Sequence, residues 1–256
     1  MKRAKGSGEM PFLDHLDELR SRLIWMGVAV LTLSVAGFFI VTELDVIGLL
    51  KRPIVPLVPE GMLLYTSPTE PMTVTLKLSF VVGIILSFPI IVYHTWGFLA
   101  PALFEHEKKA VVPAVIGGFL LFLLGVAMAY FMVLPLALQF LLNFQTQALS
   151  PIITIGEYLR FATRLILAFG IIFELPLVAL LLSMLGLIDA GTLRKFRRHG
   201  IVAVSLLSAL LTPADVGTML MMMLPLLVLY EISILLVAVV DRRRLSGRKG
   251  SQAIAD

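Results

Sequence analysis

The sequence predicts an all-α integral membrane protein with six transmembrane helices. Of its 256 residues, 59% are hydrophobic and 15% are charged, and the mean hydropathy is +0.97, whereas a soluble domain is about half apolar and a quarter charged. The apolar residues are grouped into long stretches, with blocks of basic residues beside them. Lipid offers the backbone no hydrogen-bond partners, so we expect these stretches to be helical.

The composition also excludes several kinds of functional site. The chain has no cysteine, which rules out disulfides, thiolate metal ligands and cysteine nucleophiles. Its four histidines are scattered without metal-ligand spacing, and the glycine motifs that bind phosphates or dinucleotides are absent, so no metal or other cofactor is expected. The net charge of +4 comes from basic blocks beside apolar stretches, which indicates membrane topology and not nucleic-acid binding.

The amino-terminal region contains the pattern of a helix at the membrane surface. Pro11 suits the first turn of a helix, and Phe12, Leu16, Leu19 and Leu23 recur every three or four residues. This spacing places the four apolar side chains on one face. It predicts an amphipathic helix that lies in the interface and runs into the first span.

Six apolar stretches define the predicted spans. They cover residues 23–42, 72–96, 111–142, 154–185, 200–211 and 216–240. The fourth should begin at Thr154, because Thr154 and Glu157 have the spacing of a capping box. The fifth offers about twelve apolar residues, or about 18 Å of helix, which is too short for a normal bilayer without local thinning or shielding. Five prolines between the first two spans predict a stiff, structured connector.

These boundaries predict three parts of the chain. They are a flexible basic segment (1–10), a single six-helix membrane domain (11–240) and a basic tail (241–256). Sixteen of the 21 lysines and arginines lie on the side of the spans that holds both termini. The positive-inside rule therefore predicts that both termini, the amphipathic helix and the basic tail are cytoplasmic.

Two acidic groups are expected on that cytoplasmic side. They are Asp14, Asp17 and Glu18 in the first helix, and Glu105 and Glu107 in the connector between the second and third spans. Two interpretations remain open. The acids could form ordinary surface ion pairs, such as Glu18 with Arg22 and Glu107 with Lys108. Alternatively, they could form a carboxylate site for guanidinium groups, in which bidentate hydrogen bonds favour arginine over lysine.

Ionisable residues inside the predicted spans are a second group of candidates. Glu174 lies midway along the fourth span, where a charge costs roughly 2.5–3.5 kcal/mol, and it is therefore a functional hypothesis. A protonated, purely structural glutamate is the alternative. Glu231 in the sixth span is a weaker case of the same kind, and Asp215 is expected to cap the sixth helix. A cluster of four methionines at 219–223 could pack internally or bind partner helices.

Four segments together point to a family. They are HLDELRSRL (15–23), SPTEPM (67–72), WGFLAPALFEHEKK (96–109), and FELP with LLTPAD (173–176 and 210–215). With these segments in this order, the chain resembles the TatC family, the multispanning receptor of the twin-arginine protein translocase. The resemblance extends over residues 12–240.

The resemblance implies a non-enzymatic receptor and scaffold in the cytoplasmic (inner) membrane. Its six helices would form a concave, glove-like wall. It would bind the twin-arginine signal peptides of folded cargo proteins and recruit the single-span subunits TatA and TatB. Further copies of itself and the lipid bilayer complete the expected partners, and export would use the proton-motive force.

The resemblance also assigns individual residues. Those implied in signal-peptide binding are Glu18, Arg20, Phe98, Pro101 and Glu107, with Glu105 as an additional acid beside them. Those implied in intramembrane or partner contacts are Pro53, Glu174 and Asp215, to which the position of Glu231 adds a fourth.

Two other protein classes are weaker alternatives. A proton-coupled transporter could use Glu174 as its proton site, but it should contain inverted repeats with paired broken helices, and no convincing internal repeat is present in the sequence. An intramembrane protease would need a Ser/His or paired-Asp arrangement within the spans, which the sequence lacks.

Overall fold

The structure, a computed structural model, describes residues 12–58, 63–99, 111–143, 152–212 and 216–252. These residues form ten α-helices with two shorter helical turns. The α-helices are α1 (Phe12–Glu43), α2 (Val46–Lys51), α3 (Glu70–Leu99), α4 (Val111–Met128), α5 (Leu134–Asn143), α6 (Ile155–Ile172), α7 (Leu175–Met184), α8 (Ala190–Lys195), α9 (Arg197–Leu211) and α10 (Val216–Gln252). The described residues contain no β-strand, only an isolated bridge between Leu64 and Thr154.

Within the described ranges, five helical segments are long and apolar enough to cross a membrane. They are Leu16–Glu43, Glu70–Phe98, Val112–Asn143, Ile155–Met184 and Val216–Asp241. The fifth predicted span corresponds to α9, which has only 15 residues and is therefore about 22 Å long. The sequence correctly predicted that this helix is short. It begins at Arg197, three residues earlier than expected, directly after α8.

The first helix packs along α3 over much of its length. Small residues allow this close approach: a side-chain carbon on Gly37 would lie 2.5 Å from the carbonyl oxygen of Ser79, and one on Gly83 would collide with Ser34. The rest of α1 is largely uncovered. Its predicted apolar stripe is exposed at Leu16, Leu19 and Leu23, where the surrounding membrane can cover it.

Two predicted spans are interrupted helices and not single ones. Between α4 and α5, residues Ala129–Val133 form a π-helical turn, which immediately precedes the segment containing Pro135. A proline removes a backbone donor and clashes with the preceding turn, and the wider π turn accommodates it. The predicted fourth helix is divided by a turn at Phe173 and Glu174, with Pro176 in the first turn of α7.

The core lies around α6, the most buried of the spans. Ala162, Leu165 and Phe169 are completely buried. The connector between α1 and α3 is fastened to this core, because the hydroxyl of the buried Tyr158 donates a hydrogen bond to the carbonyl of Leu50. The hydroxyl of Tyr130 similarly donates to the carbonyl of Leu49 over 2.7 Å. The predicted structured connector is therefore present.

Candidate functional site

The beginning of α1 and the end of α3 meet at one end of the helix array. The Arg22 side chain on α1 reaches the backbone carbonyl of His94 on α3, with 3.4 Å between Nη1 and the oxygen. A side chain on Gly97 would collide with the same guanidinium group. We call this end, which holds residues 16–22 and 94–98, the amino-terminal face. The opposite face holds the connector between α1 and α3 and the beginning of α6.

Glu18 lies on the amino-terminal face and binds a guanidinium group of its own chain. Its Oε1 accepts hydrogen bonds from Nε of Arg22 at 2.9 Å and from Nη2 at 2.6 Å. Both side chains are 23% exposed. The predicted local ion pair is therefore present. The same geometry shows that this carboxylate is placed to receive the edge of a guanidinium group, the arrangement that distinguishes arginine from lysine.

The other residues assigned to signal-peptide binding lie near this pair or beyond the described residues. Arg20 is exposed on α1, and Phe98 is partly buried at the end of α3. Pro101, Glu105 and Glu107 fall outside the described ranges, as does Asp215. The structure thus brings Glu18 beside the end of α3. In the chain, the segment that contains Glu107 follows this helix.

Glu174 lies in the turn between α6 and α7, beside a groove of about 190 Å³. The groove is lined by apolar residues of α3 and α7, namely Phe88, Ile91, Val92, Trp96, Leu177, Val178 and Leu181, together with Thr95. Within the described part of the chain, Oε1 of Glu174 has no hydrogen-bond partner. On the other side is Gly118 of α4, where an added side-chain carbon would lie 3.1 Å from Oε2.

In this arrangement, the carboxyl group of Glu174 can form a hydrogen bond with another molecule. It is partly buried among apolar side chains, and a buried polar group without a partner costs about 1–3 kcal/mol. A polar side chain on an incoming helix could supply the missing hydrogen bond. The surroundings of Glu174 therefore suit intermolecular contact in the membrane.

Glu231 does not have the isolated environment that its sequence position suggested. Its Oε2 accepts a hydrogen bond from Nη2 of Arg197 at 2.7 Å, and the two side chains are 49% and 50% exposed. Arg197 begins α9, so this ion pair joins the start of that helix to α10. The prediction failed to identify this pair because the two residues are 34 positions apart and on different helices. Pro53 lies just after α2, in the connector of the opposite face.

Two acidic residues that the sequence analysis did not single out fasten loops to helices. On the opposite face, Oε1 of Glu70 accepts a hydrogen bond from the backbone N–H of Gly156 at 2.9 Å, and Oε2 accepts one from that of Thr66 at 2.7 Å. On α10, Asp241 accepts hydrogen bonds from the N–H of Ala190 at 2.8 Å and the hydroxyl of Ser183 at 3.1 Å. The sequence did contain a signal for the Glu70 contacts, because Glu70 is the acid of the family segment SPTEPM.

Comparison with known proteins identifies the family. The family model described as Sec-independent protein translocase protein (TatC) matches residues 14–225. The translocase protein TatC of Aquifex aeolicus is 44% identical over 237 residues, which are 92% of this chain and 98% of that protein. TatC of Escherichia coli strain K12 is 36% identical over 225 residues, covering 88% of this chain and 86% of its own length.

The same family is found among solved structures. A crystal structure of the twin-arginine translocase receptor TatC matches with a TM-score of 0.77 and 43% identity, covering 87% of this chain and 97% of its own. This similarity confirms the predicted all-helical membrane fold, and the six-span arrangement agrees with it. The matched proteins are translocase components and not catalytic enzymes. The chain belongs to the TatC family and is a multi-pass membrane subunit of the twin-arginine, Sec-independent protein translocase.

Proposed function

We propose that this chain is the signal-peptide receptor and scaffold of its translocase. Glu18 and Glu107 each hold one arginine of the twin-arginine signal on a folded cargo protein. The protein lies in the cytoplasmic (inner) membrane with both termini in the cytoplasm, so that the amino-terminal face meets the cargo. The observation that carries the proposal is the Glu18 carboxylate, which already binds a guanidinium group on that face.

In this proposal, Arg22 is the partner of Glu18 until a signal peptide binds. It satisfies Glu18 in the absence of cargo, while Nη1 contacts the carbonyl of His94. An arginine of the signal peptide either shares the Glu18 carboxylate with Arg22 or replaces Arg22 as its partner. A lysine ammonium lacks the planar set of donors and cannot reproduce the paired bonds. This difference explains selectivity for arginine, because both cations have the same charge.

The remaining assigned residues complete the signal-peptide site. Phe98 lies at the end of α3, Pro101 follows that helix in the sequence, and Arg20 lies on the same turn of α1 as Glu18. Glu107, with Glu105 as an additional acid, supplies the second carboxylate from the segment after α3. An apolar side chain such as Phe98 can cover the signal peptide beside its two arginines and exclude water, which strengthens the ion pairs.

Recruitment of the single-span subunits TatA and TatB involves a different part of the molecule. The short α9 and the groove beside Glu174 accept partner helices within the membrane, and Pro53 and Asp215 contribute to the same recruitment. Further copies of the chain assemble in the same complex, and transport uses the proton-motive force. The half-buried carboxyl group of Glu174 supports this assignment, since a polar residue of a partner helix would satisfy it.

Charge reversal tests the peptide-binding proposal. In Glu18→Lys the carboxylate acceptor is replaced by a cation, so cross-linking of a twin-arginine peptide to the protein should fall at least tenfold, since hydrogen bonds to charged groups contribute about 1.5–3 kcal/mol. The protein should still reach the membrane. Asp17→Lys is the matched control, because Asp17 is exposed one residue earlier on the same helix.

The same assay should be repeated with Glu107→Lys and with a peptide whose two arginines are replaced by lysine. Both changes should reduce cross-linking to the level of Glu18→Lys. If Glu18→Lys binds the twin-arginine peptide as well as Asp17→Lys does, the proposed role of Glu18 is wrong.

A further inference from the structure

A groove of about 880 Å³ lies between the first turns of α3 and α6 on the opposite face. It is separate from the amino-terminal face and from Glu174. Its walls combine hydroxyl, acidic, basic and apolar side chains, among them Glu70, Lys77 and Phe80 of α3 and Glu157 and Arg160 of α6. Both helices enter the candidate membrane region at this end, at Glu70 and Ile155. The groove therefore lies where phospholipid headgroups meet the hydrocarbon.

Lys77 is the least expected residue of this groove. It lies seven residues after the start of α3, which is about 10 Å along the helix. Among the residues that the structure describes, it has no ion-pair or hydrogen-bond partner. A cation at this depth normally has an anionic partner or extends towards the interface. A phosphate group of a lipid would provide that partner.

The charged residues are arranged in order of depth. Glu70 and Glu157 lie in the first turns of their helices, Arg160 lies about 8 Å from the start of α6, and Lys77 lies deeper on α3. Leu76 and Phe80 lie beside and beyond Lys77 and are exposed. Arg160 and Glu157 also pair with each other at 3.0 Å, but both side chains are more than 60% exposed and open to a headgroup. By their positions along the two helices, the groove offers acids, then bases, then apolar surface from the outside inwards. An ethanolamine phospholipid has the complementary order of ammonium, phosphate and acyl chain.

The hydroxyl groups of the groove favour an ammonium group in the outer position. The hydroxyl of Thr73 donates to the carbonyl of Thr69 at 3.0 Å, and that of Thr66 donates to Glu70 at 3.1 Å. Because these protons are already used, the oxygens can only accept hydrogen bonds. These two oxygens and the carboxylates of Glu70 and Glu157 are acceptors, and a charged ammonium donor binds acceptors more strongly than the neutral hydroxyl donors of a glycerol headgroup do.

We propose that this groove is a binding site for one phosphatidylethanolamine molecule. Its phosphate binds between Lys77 and Arg160, its ammonium group binds among Glu157, Glu70 and the threonine oxygens, and an acyl chain follows Leu76 and Phe80. The four ionisable side chains that line the groove are two acids and two bases, so their charges balance. This balance favours a zwitterionic lipid over an anionic one.

Native mass spectrometry of the full-length protein tests the proposal. Detergent-solubilised protein is titrated with phosphatidylethanolamine or with phosphatidylglycerol of the same acyl chains. We expect one tightly retained phosphatidylethanolamine, with severalfold weaker retention of phosphatidylglycerol. Lys77→Gln should weaken phosphatidylethanolamine retention about tenfold, the effect of losing one hydrogen bond to a charged group. Lys51→Gln is the matched control, because Lys51 lies on α2 outside the groove.

A second variant tests the acyl-chain part of the groove without changing its charge. Leu76→Trp adds bulk to an exposed apolar residue that lines the groove and should also reduce retention, while thermal unfolding of the lipid-free protein stays close to that of the wild type. Equal retention by the wild type and Lys77→Gln overturns the site, and preference for phosphatidylglycerol overturns the headgroup assignment. Neither result bears on signal-peptide capture, which depends on the amino-terminal face.

Discussion

At the scale of single residues, Glu174 and Glu231 show how the surroundings of an acid determine what it can do. Both lie in apolar helical stretches. Glu231 is half exposed and paired with Arg197, and such exposed pairs contribute about 0–1 kcal/mol. Glu174 is partly buried beside an apolar groove, and its Oε1 has no hydrogen-bond partner within the described ranges. Of these two acids, only Glu174 therefore has a buried oxygen, Oε1, that is available for a hydrogen bond with another molecule.

We accordingly predict different effects of replacing these two acids. Glu174→Ala should lower co-purification of the single-span subunits about tenfold, because the partner helix loses one buried hydrogen bond, and should leave twin-arginine peptide cross-linking unchanged. Glu174→Gln, which can still form hydrogen bonds, should retain most of the co-purification. Glu231→Gln is the control, with co-purification expected at the wild-type level. Normal co-purification with Glu174→Ala would limit Glu174 to a structural role.

At the scale of elements, the opposite face is organised by contacts between loops and helix starts. The side chain of Thr154 caps α6 by accepting a hydrogen bond from the N–H of Glu157 at 3.3 Å. Glu70 joins the start of α3 to the same helix through Gly156 and fastens the connector through Thr66. The backbone N–H of Ile155 donates a further hydrogen bond to the carbonyl of Leu64 at 2.8 Å. These contacts fix the relative position of α3 and α6, the two walls of the proposed lipid groove.

Removing the Glu70 carboxylate should loosen this junction. In Glu70→Ala the N–H groups of Gly156 and Thr66 lose their acceptor, so hydrogen–deuterium exchange at these two amides should become severalfold faster. Exchange within α1 should not change. Glu43→Ala serves as control, since Glu43 is an exposed acid at the end of α1. If exchange at Gly156 is equally fast in both variants, Glu70 does not hold the junction.

At the scale of the whole molecule, the distribution of charge predicts how the protein lies in the membrane. Sixteen lysines and arginines belong to the segments on the side of the termini, and five lie in or near the connectors of the opposite face. The short α9 also indicates that the bilayer is thinned or shielded beside it, because about 22 Å of helix does not cross about 30 Å of hydrocarbon. Orientation and local thickness together determine where partner helices can approach.

Single-cysteine labelling tests the orientation, and the absence of native cysteine makes it direct. Thr69→Cys lies on the opposite face and Lys195→Cys at the end of α8, and both residues are exposed. We expect a membrane-impermeant thiol reagent to label Thr69→Cys in cells whose outer membrane is permeable to it. Lys195→Cys should be labelled only after the inner membrane is opened. The reverse pattern would mean that the termini are outside.

Features that depend on local physical rules were predicted well. The spans follow from apolar length, since lipid forces the backbone to satisfy its own hydrogen bonds. The start of α6 follows from the Thr154 cap, and the shortness of α9 from its few apolar residues. The interruption at Glu174 was only partly anticipated: Pro176 indicated a missing backbone bond, but the complete turn depends on how α6 and α7 pack. The binding of signal-peptide arginines by Glu18 and Glu107 stays a prediction.

By itself, the sequence determined the class of the protein, the number and approximate limits of its spans, and its family resemblance, because these depend on composition, short-range pattern and specific motifs. The tertiary structure alone decided which polar groups meet when they are distant in the sequence. It paired Glu231 with Arg197, joined Glu70 to Gly156 across 86 positions, and left Lys77 in a groove without a partner among the described residues. Such pairings depend on how helices distant in sequence pack together, and no local pattern records them.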